Sequence, residues 1–176
     1  MIGQTIFKER FGKYQVGDEL PEGRRVGKIK DFVDILSGFA FKSSDFVKNG
    51  TFRLITIANV QDGAFIETTK DGLDIIPDKM PEYCKLKTSD ILLSLTGNVG
   101  RICLVIGKNY LLNQRVAKLQ PKVEQDFAYV YLFFRQPAIV NLLENISSGT
   151  AQQNLSPINT ANLETVIPSK EIFDKF

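Results

Sequence analysis

SLTGNVGR, residues 94–101, closes one candidate strand and opens the next. DILLSLT (90–96) runs into it and RICLVI (101–106) leaves it, with Arg101 in front. Gly97 and Gly100 permit positive φ and close backbone approach. Two readings stay open. The amides of such a turn, with Arg101 as charge partner, suit a phosphate; alternatively, the glycines serve hairpin geometry alone.

Working outward, further strand candidates are FRLITIANV (52–60), residues 64–68 and YLLNQRVAKL (110–119). They are rich in β-branched and aromatic residues and are separated by Gly and Asn. KIKDFVDI (28–35) reads as a short helix or strand entry, GFAFKSSDFVKNG (38–50) as a loop with an apolar-aromatic core, and 71–89, with Pro77 and Pro81, as irregular. Residues 13–27 carry Gly17, Pro21 and Gly23 and read as a polar connector after a short helical piece over 1–12. The last third turns helical. DFAYVYLFFR (126–135) is an apolar helix with Asp126 as its N-cap, and Pro137 starts a second helix reaching Ile146. Ser156-Pro157 starts a third, ending near Glu164; a short extended VIP follows, and Ser169 caps a fourth. The expected fold class is α+β: a curved, mainly antiparallel β-sheet with C-terminal helices, and incomplete helices at both ends.

Composition narrows the function. The 176 residues are 43% apolar and 24% charged, near the globular average, so wholesale disorder is not expected. No apolar run reaches the ~18 residues of a membrane span, and MIGQTIFKERFGKY has no apolar signal core. Cys84 and Cys103 make a poor disulfide framework and fit a reducing cytosol. No histidine is present, which removes the usual general base and the commonest metal ligand. Neither a Walker A, a dinucleotide fingerprint nor a G-x-S-x-G occurs, so no cofactor or metal is expected. Net charge is only +2, yet 83–122 holds Lys85, Lys87, Arg101, Lys108, Arg115, Lys118 and Lys122 against Asp90 as its one acid. Such a local excess suits a phosphate-facing surface or, equally, a solvated β face.

Two polar segments add donors and acceptors. NQR (113–115) falls within a strand candidate; Asn and Gln pair with adenine and Arg with guanine in the major groove. Alternation puts Asn113 and Arg115 on one face and Gln114 on the other. A polar pair buried against backbone is the competing reading. SSGTAQQNLS (147–156) is dense in hydroxyls and amides that bind phosphates, sugars and bases, or else their own backbone.

These pieces, in this order, resemble the target-recognition domain of Type I restriction–modification specificity subunits. LPEG (20–23), SGFAFKSSDF (37–46), RLITIANVQDG (53–63), LKTSDILLSLTGNVGRICLV (86–105), LLNQRVAKLQP (111–121) and SSGTAQQNLSPINTANLETVIPS (147–169) carry the resemblance. No piece is specific alone; six in order are. Ser89 replaces the family's usual Gly before Asp90, and Arg24 replaces a common Trp. QTIFKERFGKY resembles the tail of the family's long conserved helix and IPSKEIFDKF the start of the next. The implied organisation is helix tail and connector over 1–19, recognition domain over 20–168 and a second helix from 169 to 176. A specificity subunit has two such domains, so the chain is expected to be a fragment or a half-length subunit; as a fragment, helix at both ends favours the second domain.

The resemblance implies cytoplasmic, sequence-specific binding of double-stranded DNA, with DNA adenine methyltransferase (modification) subunits and a motor-nuclease (restriction) subunit as partners. It implies no chemistry in this chain. The motif residues are expected to build scaffold and hold phosphates, through Arg101, Arg115 and Lys118. Base reading is expected in the less typical loops Lys42–Lys48, Gln61–Lys79 and Gly107–Tyr110. Candidate DNA contacts are thus Lys42, Ser43, Ser44, Lys48, Gln61, Lys70, Arg101, Lys108, Arg115, Lys118, Gln152 and Gln153. In the 61–79 loop, Asp62, Glu67, Thr68 and Thr69 are also able to address base edges. The rivals are a Type II recognition domain, a protein-interaction module whose basic strip binds an acidic partner, and an enzyme using Asp90 with Lys118.

Overall fold

In the computed structural model, residues 14–67, 70–148 and 154–173 are described. In chain order the strands are β1 (Arg24–Lys28), β2 (Val33–Ser37), β3 (Val47–Lys48), β4 (Phe52–Ile55), β5 (Val60–Gln61), β6 (Ala64–Phe65), β7 (Asp71–Leu73), β8 (Lys85–Leu86), β9 (Ile91–Ser94), β10 (Ile102–Leu104), β11 (Tyr110–Leu112) and β12 (Val116–Pro121). The helices α1 (Phe127–Phe134), α2 (Pro137–Ser148) and α3 (Pro157–Ala161) follow, then β13 (Glu164–Pro168) and α4 (Lys170–Phe173).

β9 shows how the layers form. All four of its residues are buried, because both faces of the strand are covered. Ile91 and Leu93 point into one apolar cluster with Phe32, Tyr129, Val130, Phe133 and Phe134. Leu92 points into another, with Leu54, Ile55, Leu111 and Leu112. The antiparallel sheet β10-β9-β12-β2 therefore lies between a helical layer and a second sheet, β3-β7-β4-β11-β8. On the helical side, Phe32 meets Tyr129 and Phe133 edge-on at 5.3 and 5.1 Å. The second sheet is antiparallel except where β11 runs parallel to β4.

The α+β class, the mainly antiparallel pairing and the C-terminal helices match the sequence reading; the single curved sheet is divided into two larger sheets and two two-stranded ones, β1-β13 and β5-β6. The division falls inside the candidate strand 110–119. Asn113, Gln114 and Arg115 form a turn, closed by the Val116 amide donating to the Asn113 carbonyl at 3.0 Å. They carry the chain from β11 in one sheet to β12 in the other, so the expected alternation of Asn113 and Arg115 against Gln114 does not apply. The candidate strand 52–60 also breaks, at a 3-10 turn over Ile57–Asn59. There the fully buried Asn59 accepts from the Thr56 amide at 2.8 Å and donates to the Ile66 carbonyl at 2.8 Å.

Part of the expected polar connector is strand β1, paired with β13 from Arg24↔Pro168 to Lys28↔Glu164. The ladder places the residues flanking it side by side. Ser156 caps α3 as expected, its hydroxyl accepting from the Asn159 amide, but α3 stops at Ala161. Asp126 and Ser169 do not cap with their side chains: Asp126 makes no capping bond, and the Ser169 hydroxyl is buried without a partner among the described residues. The helical piece expected over 1–12 lies outside the described residues.

Candidate nucleic-acid interface

Strand direction decides which side chains share an edge. β4, β11, β9 and β2 all end where β12 and β10 begin. Segments far apart in sequence therefore meet along one edge. The Asn113 amide donates to the Ile55 carbonyl at 3.0 Å, and the Gln114 amide to the Phe39 carbonyl at 3.1 Å. The Leu95 amide donates to the Arg115 carbonyl at 3.0 Å, and the Leu155 amide to the Leu95 carbonyl at 2.7 Å. Thr96 bridges to Asn154. Gly38 is required here: a Cβ on it would lie 2.2 Å from the Asn113 carbonyl oxygen, so any side chain would prise Phe39 from Asn113. We call this the motif edge.

Arg115 stands exposed on the motif edge and makes no ion pair among the described residues. Lys42, Ser43 and Ser44 follow Phe41, whose ring packs on Phe39 at 5.1 Å. Lys48 ends β3 and Lys70 precedes β7, also on this edge and both exposed. Gln61 and Arg101 meet there too. The Arg101 guanidinium donates to Gln61 Oε1, and with the Asn98 amide turned to the orientation that satisfies both its ends, the Asn98 oxygen accepts from Arg101 Nη2 and Nη1 at 3.0 and 3.2 Å. The Arg101 amide donates to Ser94 Oγ at 3.0 Å, and that hydroxyl donates to the Asn98 carbonyl. Gly97 and Gly100 take the expected positive φ, +73° and +82°.

Other candidates separate from this group. Lys108, with Lys87, lies at the opposite edge, where β11 begins and β8 ends. Lys118 faces inward and pairs with Asp90 at 2.8 Å, both side chains only 14% exposed. A mostly buried ammonium already neutralised by a carboxylate has little left for DNA, which argues against the phosphate contact expected at Lys118. Glu67 is likewise engaged, accepting from Arg53 and from the Tyr110 hydroxyl, the latter at 2.7 Å. Gln152, Gln153, Thr68 and Thr69 lie outside the described residues.

Sequence reasoning missed Arg135. It follows α1, donates to the Tyr131 hydroxyl at 3.0 Å and reaches Asp62 at 3.5 Å. Its one signal was a lone cation ending an apolar helix, FFRQP. Arg135 and Arg101 line an open cleft of about 720 Å³ between the 97–100 turn and α2, with Asp62 and Glu144 as its acids. Burial raises both cysteine thiols, Cys103 to about 12, so neither offers a thiolate at neutral pH. Among the described residues no His/Cys/Asp/Glu group suits a metal, and no helix is long and apolar enough to cross a membrane.

The two sheets backed by helices, with a polar loop edge, have counterparts among solved structures. The HsdS subunit from Thermoanaerobacter tengcongensis shares the fold at a TM-score of 0.64 and 20% identity, over 99% of this chain and 40% of that one. The family model for the Type I restriction modification DNA specificity domain matches residues 21–175, and the chain belongs to that family. The Type I restriction enzyme HindI specificity subunit of Haemophilus influenzae is 27% identical over 155 residues, covering 87% of this chain and 34% of its own length. The MjaVIII specificity subunit of Methanocaldococcus jannaschii is 31% identical over 180 residues, covering 97% and 42%. This chain thus spans less than half of the curated relatives it matches.

Proposed function

We propose that the chain is a target-recognition domain of a Type I specificity subunit, binding duplex DNA in the cytoplasm through its motif edge and reading a short base sequence. Residues 20–168 are the recognition domain, flanked by segments of the subunit's helices. It positions separate adenine-methylating modification subunits and a motor-nuclease restriction subunit and carries no chemistry itself. The observation that supports this best is the convergence of polar segments 37–44, 94–101 and 113–115 on one edge, with Arg115, Lys42, Lys48 and Lys70 around them. Cations on such an edge hold phosphates and fix register, while neighbouring polar side chains reach base edges. The matched relatives are Type I subunits, which favours Type I over a Type II system or an acidic protein partner.

Binding of a random duplex library at low and moderate salt tests the reading. Neutralising phosphates releases counterions, so log affinity should fall steeply with log salt, about 0.9 per phosphate contacted. Affinity indifferent to salt would refute a phosphate-led mode. Incubating the chain with duplex, S-adenosylmethionine, ATP and magnesium should give neither methylated nor cleaved product.

A further inference from the structure

The two-residue connection between β5 and β6, Asp62-Gly63, stands on the motif edge beside the 97–100 turn. Several contacts hold it. The Gly63 amide donates to the Ile102 carbonyl at 2.8 Å. Gln61 is engaged at both ends of its amide, Nε2 donating to the Ala58 carbonyl at 3.0 Å and Oε1 accepting from Arg101. Arg135, itself fixed by the Tyr131 hydroxyl and ring, reaches Asp62. Gly63 has φ +72°, and a Cβ there would lie 2.8 Å from Arg135 Nη2, so the guanidinium packs directly on the tip's backbone.

Stability does not account for this arrangement. The Asp62 side chain is 80% exposed and its contact with Arg135 is 3.5 Å long, a pair that contributes next to nothing. Arg135 Nε is meanwhile buried with no partner among the described residues, which is unfavourable. A carboxylate carried on a backbone tip held by the Gly63 amide bond to Ile102 is also repelled by phosphates on a DNA-facing edge. Arg101 and Arg135 balance Asp62 and Glu144, so the cleft these four line has no net charge to attract a phosphate. A carboxylate is an acceptor only. On a base edge it is satisfied by an exocyclic amine, cytosine N4 or adenine N6, both of which face the major groove.

We propose that Asp62 is a specificity-determining residue that accepts a hydrogen bond from the exocyclic amine of one base in the DNA site. Arg135, Arg101 and Gln61 are positioning residues for it, so Gln61 is not itself a reader and Arg101 acts through the tip. This inference rests on duplex recognition by the motif edge.

Selection from a random duplex library by the wild-type chain, Asp62→Asn and Asp62→Ala tests both levels, with melting curves to establish that each variant is folded. For Asp62→Ala we expect roughly tenfold weaker binding to the selected site and loss of preference at one base pair, with random-duplex affinity changed less than twofold. The base lost identifies the amine as cytosine's or adenine's. If the lost base is cytosine, the isosteric Asp62→Asn should move that position toward adenine, which Asn addresses through N6 and N7; if it is adenine, Asp62→Asn should keep it. A uniform gain in affinity for every duplex would show that Asp62 only repels phosphates and would overturn the proposal while leaving DNA recognition standing. Unchanged preference in both variants would also overturn it. If the wild-type chain binds no duplex, the proposed function falls first and this inference with it.

Discussion

The two edges of the sheet pair are both basic, yet they are built differently. At the motif edge the chain turns sharply between sheets, and backbone bonds tie together residues from 38 to 155. At the opposite edge the loops at 87–89 and 107–109 frame a shallow groove lined by Lys85, Lys87 and Lys108. Lys87 and Lys108 make no ion pair among the described residues, and Ile106 beside them is 69% exposed. Charge alone would rank this second edge as highly as the first. The inventory of hydrogen-bonding groups ranks it lower, because phosphates need cations but base edges need matched donors and acceptors. The basic run 83–122 misleads for a plain geometric reason. Its strands shuttle between the edges, delivering Arg101 and Arg115 to one, Lys87, Lys108 and Lys122 to the other, and Lys118 to the wall between.

The largest expected effect lies in that wall. Lys118→Ala removes Asp90's ion-pair partner where both are mostly sequestered, leaving its carboxylate the Lys87 amide, and should lower unfolding free energy by about 2–3 kcal/mol. Denaturant melts would show the loss, and duplex affinity of the folded fraction should be unchanged. A stable variant with weakened DNA binding would return Lys118 to the interface. Next comes the motif edge: Arg115→Ala should weaken binding to all duplexes by about fivefold, close to 1 kcal/mol, and lower the log–log salt slope by about 0.9. A change confined to one base pair would instead make Arg115 a reader. At the far edge, Ser89 holds φ +73°, where a side chain is strained and the related family pattern has glycine. Ser89→Gly should therefore raise stability by about 0.5–1 kcal/mol, read as a higher melting temperature. The smallest effect should come from Lys87→Ala with Lys108→Ala, which is expected to leave duplex affinity within twofold at moderate salt. A loss as large as that of Arg115→Ala would erase the distinction between the edges.

The sequence by itself determined the composition-limited class, the helices and the motif order. Apolar stretches such as DILLSLT and DFAYVYLFF carry their own burial pattern, and Ser156-Pro157 and Pro137 signal helix starts locally, because capping and φ restriction act within a few residues. The turn glycines 97 and 100 were legible for the same reason. Tertiary structure alone decided what depends on distant partners. β1 has little apolar signal in RRVGK and exists because β13 pairs with it from the far end of the chain. YLLNQRVAKL reads as one strand, and only the existence of two sheets bends it at Asn113–Arg115. Lys118 looks like Arg115 in sequence, three residues apart; one is spent on Asp90 and the other faces solvent. Asp62 and Arg135, 73 positions apart, meet only because β6 packs on β10 and brings the hairpin tip to the end of α1. Local propensity is a property of a few adjacent residues, whereas charge pairing and edge membership depend on strand register and direction, which long-range packing sets.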